Sequence, residues 1–197
     1  MRNAAFASLA VLVLAGCASA PSSSTAPAPA PVVPQATPPQ ATPHAAVDEA
    51  VANLGPASGS LVSGRLALLA MGNGVHIRGD LGGLAPGSTH GFHIHANGDC
   101  SAADAASAGG HFNPTGTPHG RAMEAAHHAG DVDNLVADAS GVAHVNVHVV
   151  GVSLGGDPRT DILGRALVVH AAPDDYRTQP AGNSGARIAC GVITTGP

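Results

Sequence analysis

The chain has no lysine and no tryptophan, and aromatic residues make up only 2% of it. Beyond the first few residues, Phe92, Phe112 and Tyr176 are the only aromatics. Any core must therefore be assembled from Val, Leu, Ile and Ala. Charge is scarce too, at 11% of residues, and the formal net charge is -5 with every basic residue an Arg. That balance excludes the basic footprint by which proteins hold nucleic acid. A hydrophobic fraction of 44% excludes a charged, disordered chain. No apolar run is long enough for a comfortable transmembrane helix, and no stretch repeats like a long amphipathic helix. No internal repeat is visible. With 197 residues there is room for one medium domain and some additional segments.

Histidine is what the chain has in excess. Eleven of its 12 histidines lie between His76 and His170. A small domain does not need so many imidazoles for packing, so metal or proton chemistry is the first explanation to test.

The N-terminus has the organisation of an export signal. Arg2 precedes an apolar run from Ala4 to Leu14, which has the length of a signal core. Leu14-Ala15-Gly16-Cys17 follows and resembles the bacterial lipobox, in which the chain is cut before the Cys and that Cys is lipidated. An ordinary signal peptide cut after Ala20 is the alternative. Three cysteines are an odd count for an exported protein; if Cys17 carries lipid, Cys100 and Cys190 remain as an even pair. Residues 1–17 are thus expected to be a signal peptide ending at a lipid anchor, with Ala18 favouring the outer membrane. Residues 18–46, rich in Pro, Ala, Ser and Thr, cannot bury a core and read as a disordered tether. A folded domain is expected over 47–197.

Within that domain, short Val-, Leu- and Ile-rich runs alternate with Gly, Asp and Asn. Ser60–Leu69 and Gly74–Leu81 flank Gly72-Asn73-Gly74, a strong hairpin signal. Ala143–Val149 alternates apolar residues with His144, Asn146 and His148, the pattern of a half-buried strand. Ile162–Val169 and Arg187–Ile193 are further strand candidates, and Ala102–Ala108 has the composition for a single helical turn. Many short strands with Gly-rich turns predict an all-β barrel or sandwich. Two stretches, roughly 97–134 and 171–185, lack strand pattern. Loops this long are usually functional.

His93 and His95 are two apart, so on a strand both imidazoles point to one side. His144 and His148 share a strand face in the same way and are expected to face solvent. The first long loop adds His111, His119, His127, His128 and Asp131. Three imidazoles and one carboxylate suit structural zinc, and four imidazoles suit copper. Both sites can be filled if one His is shared.

The runs Gly91-Phe-His-Ile-His95, Gly98-Asp-Cys100, Gly110-His-Phe-Asn-Pro114, His119-Gly120, His128-Ala-Gly-Asp131, Val168-Val-His170 and Gly182-Asn-Ser-Gly-Ala-Arg-Ile-Ala-Cys-Gly-Val-Ile193 resemble the copper/zinc superoxide dismutase family, in a bacterial lipoprotein form. The resemblance covers about 47–193. It implies an eight-stranded Greek-key β-barrel and a superoxide-disproportionating enzyme with one copper and one zinc per subunit. By that resemblance His93, His95, His111 and His170 are copper ligands. His111 also bridges to zinc, which His119, His128 and Asp131 complete. The spacing His-x-x-Asp selects His128 over its neighbour His127, and His90 resembles a barrel-bracing residue instead of a ligand. Asp174 is expected to link a copper-ligand His to a zinc-ligand His, with Asp175 as the adjacent alternative. Cys100 and Cys190 are expected to form a disulfide. His111 is expected to act as general acid and Arg187 to guide superoxide. A Lys-bearing steering loop is excluded, and Arg121 or Arg177 is left as its substitute. The resemblance admits a monomer or a homodimer, held to the envelope membrane through Cys17 on the periplasmic side. The alternative is a non-catalytic copper/zinc-binding protein of the envelope, which would have no need of Arg187, Asp174 or a bridging His.

Overall fold

The computed structural model describes residues 43–124 and 126–196. The expected signal, Cys17 and all but the last residues of the expected tether lie outside these.

Eight strands form one antiparallel sheet: β1 Glu49–Pro56, β2 Ser63–Met71, β3 Gly74–Gly82, β4 Thr89–His95, β5 Asp131–Val136, β6 Ala143–Val150, β7 Ala166–His170 and β8 Arg187–Thr194. Their spatial order is β5-β4-β7-β8-β1-β2-β3-β6. The two end strands, β5 and β6, approach each other, so the sheet is a nearly closed barrel. Among the described residues the single helical element is a short 3-10 turn at Ala106–Ala108, within the Ala-rich stretch expected to hold one.

The β2–β3 hairpin turns through Gly72 and Asn73, with Gly72 in the left-handed region at φ 56°. Alternation along the strands fills the barrel with Ala52, Leu54, Leu66, Leu68, Ile77, Leu81, Phe92, Ile94, Leu167, Val169 and Ile193. As the composition requires, only Phe92 and Phe112 bring aromatic bulk to that core. A second, smaller apolar cluster lies under the first long loop and contains Ala57, Ala105, Ala108, Ala166, Val168 and Cys190. β4 and β7 are therefore covered on both faces, and β4 is buried along six of its seven positions. Phe92 and Ile94 serve the barrel core. His93 and His95, on alternate positions, face the loops.

Two expectations about strands need correction. The first loop ends earlier than 134, because β5 begins at Asp131. Its opening residues, Asp-Val-Asp-Asn, hide the strand pattern because Asp131 is turned into the buried histidine cluster instead of toward solvent. The strand expected from Ile162 begins only at Ala166. Residues 162–165 instead wrap around Asp161, whose Oδ1 accepts the backbone N–H groups of Gly155 and Leu163. Ile162 and Leu163 are buried from a turn, not from a strand.

The described chain before β1 lies along this turn. His44 Nδ1 is 2.6 Å from Asp161 Oδ2, and the carbonyl of His44 accepts the N–H of Gly156.

A disulfide joins Cys100 in the first loop to Cys190 in β8, 90 residues apart. By the chain-entropy relation, closing a loop of this length stabilises the fold by about 4–5 kcal/mol. Replacing both cysteines by Ala is expected to lower the urea-unfolding free energy of the protein by about that amount. A loss below about 1 kcal/mol would show that the bridge does not constrain the unfolded chain as this relation assumes.

Candidate metal centre

Strand pairing assembles the site. β4 pairs with β5 so that His93 faces Asp131, and with β7 near the position that carries His170. His95 makes an isolated antiparallel bridge with His111, which brings the first loop back onto β4. The result is two donor sets with one member in common. His93, His95, His111 and His170 form one; His111, His119, His128 and Asp131 form the other. All seven residues are buried.

Hydrogen bonds decide which ring nitrogen each imidazole offers. His93 Nε2–H donates to Asp174 Oδ2 at 2.8 Å, and Nδ1 of the same ring is buried without a partner. His95 Nδ1–H donates to the carbonyl of Gly109, and His170 Nδ1–H to that of Gly185. Their Nε2 atoms then face each other at 3.3 Å. His111 Nε2 is the second buried atom with no partner. Buried polar atoms without partners are rare, and each calls for an explanation. Here four imidazole nitrogens converge, two of them orphaned, and a copper ion would supply what they lack.

In the second set, Asp131 Oδ1 lies 2.7 Å from His111 Nδ1, 3.0 Å from His119 Nδ1 and 3.2 Å from His128 Nδ1. His128 Nδ1 is 3.3 Å from His111 Nδ1. Tetrahedral zinc with ordinary bond lengths holds its donor atoms about 3.3 Å apart. Three imidazoles and a carboxylate at this separation fit that ion.

Asp174 ties the two sets together. Its Oδ1 accepts His119 Nε2–H at 2.9 Å while Oδ2 holds His93. Asp175, the neighbouring alternative, is exposed and accepts the N–H groups of Arg177 and Thr178. Gly182 is obligatory beside Asp174: its φ is +64°, and a Cβ there would stand 1.7 Å from Asp174 Oδ1.

Electrostatics keep His93, His95 and His170 neutral. Burial lowers the pKa of His93 to about 4, of His95 to about 2 and of His170 to about 3, with neighbouring imidazoles adding to the effect. Burial works the other way on the carboxylates but is outweighed. Hydrogen bonds from His111 and from the Gly120 and His128 backbones hold Asp131 below the usual carboxylate range. Bonds from His93, His119 and the Tyr176 backbone do the same for Asp174. His93, His95 and His170 therefore present free lone pairs, and Asp131 and Asp174 charged carboxylates, at neutral pH, as metal binding requires.

A cavity of about 380 Å³ leads to the first set, walled by His95, His111, His170, Pro180, Gly185 and Arg187 among others. The guanidinium of Arg187 is fixed there by the carbonyls of Ala105 and Gly109, each at 2.6 Å. Neither Arg121 nor Arg177 is among the lining residues. Arg121 is paired with Asp133 and lies over the Tyr176 ring. His127 stays out of both sets and donates Nδ1–H to the carbonyl of His128. His90 donates to the carbonyl of His170 and contacts Ser88 Oγ, a brace between β4 and β7.

Sequence reasoning missed the clamps. Asn134 grips the Asp174 backbone at both N–H and carbonyl, and the Gln179 amide does the same to His119. Neither residue lies in a recognisable motif. Gln179 does sit midway along the second long loop, where a functional polar residue could be sought.

Comparison with known proteins gives a consistent result. The family model for copper/zinc superoxide dismutase matches residues 62–193. A Cu-Zn superoxide dismutase of Aquifex aeolicus is 42% identical over 135 residues, covering 67% of this chain and 79% of that protein. One from Caulobacter vibrioides is 44% identical, over 61% of this chain and 72% of its own. Among solved structures, that of the clock protein EA4 superposes with a TM-score of 0.68 at 34% identity, covering 78% of this chain and 98% of its own.

The pKa shifts predict how the metal-free protein responds to acid. In the unfolded chain these imidazoles titrate near 6.5; in the folded metal-free protein they stay neutral down to about 4 or below. Below pH 6.5 the unfolded state therefore binds more protons, and stability falls as pH falls. The urea midpoint of metal-free protein is expected to be highest above pH 6.5 and to decline steadily toward pH 3. A midpoint that holds flat across this window would contradict the buried neutral state of His93, His95 and His170.

Proposed function

The chain belongs to the copper/zinc superoxide dismutase family and is a superoxide dismutase, and we propose that it works as a lipid-anchored protein of a bacterial cell envelope, protecting that compartment from oxidative damage. Two superoxide anions and two protons yield one dioxygen and one hydrogen peroxide. One observation carries the assignment of roles: His111 belongs to both donor sets, on the wall of a cavity that also presents Arg187. A metal store has no need of a guanidinium at that place.

Copper, when bound, supplies the one-electron changes, and zinc supplies fixed charge without redox chemistry. His93, His95, His111 and His170 would hold the first ion; His111, His119, His128 and Asp131 the second. What remains is the work of the chain's own groups. Arg187 attracts and orients the anion at the cavity mouth. In the half of the cycle in which His111 Nε2 is not engaged as a ligand, that atom takes up a proton from solvent and gives it to the reduced product as general acid, and solvent provides the second proton. Asp174 holds His93 and His119 in their tautomers through their Nε2–H groups, which keeps Nδ1 of each ring directed to its set. The backbone carbonyls of Gly109 and Gly185 hold His95 and His170 through Nδ1–H instead, which directs Nε2 of each ring to the set.

The envelope reading is supported by the sequence around Cys17 and by the Pro/Ala-rich segment after it, which has the length and composition to space a domain from a membrane. It is also consistent with the Cys100–Cys190 disulfide, since such bridges persist in oxidising compartments.

Superoxide decay measured by stopped flow on the copper- and zinc-loaded protein is expected to accelerate strongly. No acceleration with both metals bound would leave a metal store. Because local field changes anion on-rates by about 10–1000-fold, a range that this family itself exemplifies, Arg187→Ile is expected to lower the second-order rate by about tenfold and to flatten its ionic-strength dependence. An unchanged rate would remove Arg187 from the mechanism. Labelled palmitate fed to producing cells is expected to appear in the wild-type protein and to vanish in Cys17→Ala, which should leave the membrane fraction. An unlabelled wild-type protein would defeat the anchor.

A further inference from the structure

His148 and His144 look alike in the sequence, but the fold gives them different partners. The β3–β6 register sets Asp80 opposite His144 and His76 opposite His148. His144 is taken up by carboxylates, Nδ1 against Asp80 at 2.7 Å and Nε2 near Asp138 at 3.5 Å. His148 meets another imidazole. The His76 and His148 ring centroids are 6.4 Å apart with 27° between the planes.

We propose that His76 and His148 form a separate surface site for a divalent late transition-metal ion. Directly opposed residues of an antiparallel pair have Cβ atoms about 4.5–5.5 Å apart, close enough for two imidazoles to reach one ion. The buried sets provide an internal scale. His93 and His95, which share one set, have centroids 6.3 Å apart, and His95 and His170, with the same 27° between planes, are 5.4 Å apart. The surface pair falls beside these values. Its tautomer is also prepared. His148 Nε2–H donates to Asn73 Oδ1 at 3.1 Å, which leaves Nδ1 with its lone pair. Outer hydrogen bonds of this kind commonly orient metal-ligating histidines. Asn73 is itself held, because its carbonyl accepts the N–H of Gly151 across the hairpin end.

The donor set fixes the class of ion. Two imidazoles without a carboxylate favour Cu(II), Ni(II) or Zn(II) over Mg²⁺ or Ca²⁺, which prefer oxygen. Water would fill the remaining positions. Arg78, opposite Asn146 on the next outward row, adds a like charge nearby. The site is therefore weak and exchangeable, unlike the buried sets.

The test uses protein already loaded with copper and zinc, titrated with Ni(II), which is inert to superoxide chemistry at imidazole alone. Calorimetry should find one further Ni(II) per wild-type chain. His76→Gln and His148→Gln should each weaken that event by about tenfold or more, with His144→Gln unchanged. Dismutation rates should be the same in all four proteins, which separates this site from the buried sets. As a check that needs no variant, Ni(II) should protect His76 and His148 of the wild-type protein from carbethoxylation, read by mass spectrometry, and leave His144 reactive. Equal Ni(II) binding in wild type and both pair variants, or protection of other histidines in their place, would overturn the proposal.

Discussion

The structure depends on one imidazole being asked for at two places. His111 turns Nδ1 toward Asp131 and leaves Nε2 buried with no partner in the metal-free chain. A ring with opposite edges in two donor sets cannot be positioned by one element alone. β4 has to bring His93 and His95 to one edge, while β5 brings Asp131 to the other. The loop between them has to return far enough for His95 and His111 to bridge. Asp174 then spans the gap from the far side, one oxygen on each set. Such a cluster is expensive to bury while its members lack partners and rigid once they have them.

The barrel makes this affordable by placing the polar cluster on its outside. The core proper is built from aliphatic side chains and two phenylalanines, and the histidines face two loops that roof the outer surface of β4 and β7. Those loops are held by a disulfide to β8 and by polar clamps at Asn134 and Gln179. Arg165 lies over the Phe112 ring at 3.7 Å and bonds the carbonyl of Ala96, which fastens the start of the first loop. The same loop holds Arg187 through the carbonyls of Ala105 and Gly109, so one segment positions both a donor ring and the substrate-facing cation.

The i, i+2 pair on β4 and the Gly-Asn turn of the β2–β3 hairpin are local patterns, legible from spacing alone. The His-x-x-Asp of the zinc set, the shared His111, His170 and Asp174 were legible only through the family resemblance. What escaped was set by contacts distant in the chain. β5 was hidden because its first residue serves the cluster and breaks the alternation. Ile162 and Leu163 read as a strand because they are buried, although a carboxylate-centred turn buries them. Asn134 and Gln179 belong to no motif and act only through backbone groups that folding brings near. His148 appeared to match His144, and only the cross-strand register separates an ion-paired residue from one that meets a second imidazole.

The shared position of His111 is the claim on which the rest stands. Copper placed in both donor sets tests it directly by electron paramagnetic resonance. Two Cu(II) ions joined by one imidazolate must couple magnetically. The doubly copper-loaded protein is expected to lose the ordinary mononuclear signal near neutral pH, and His111→Ala loaded in the same way is expected to regain it from two independent ions. Two full, uncoupled Cu(II) signals in the wild-type protein would contradict a bridging His111 and with it the joint construction of the two sites.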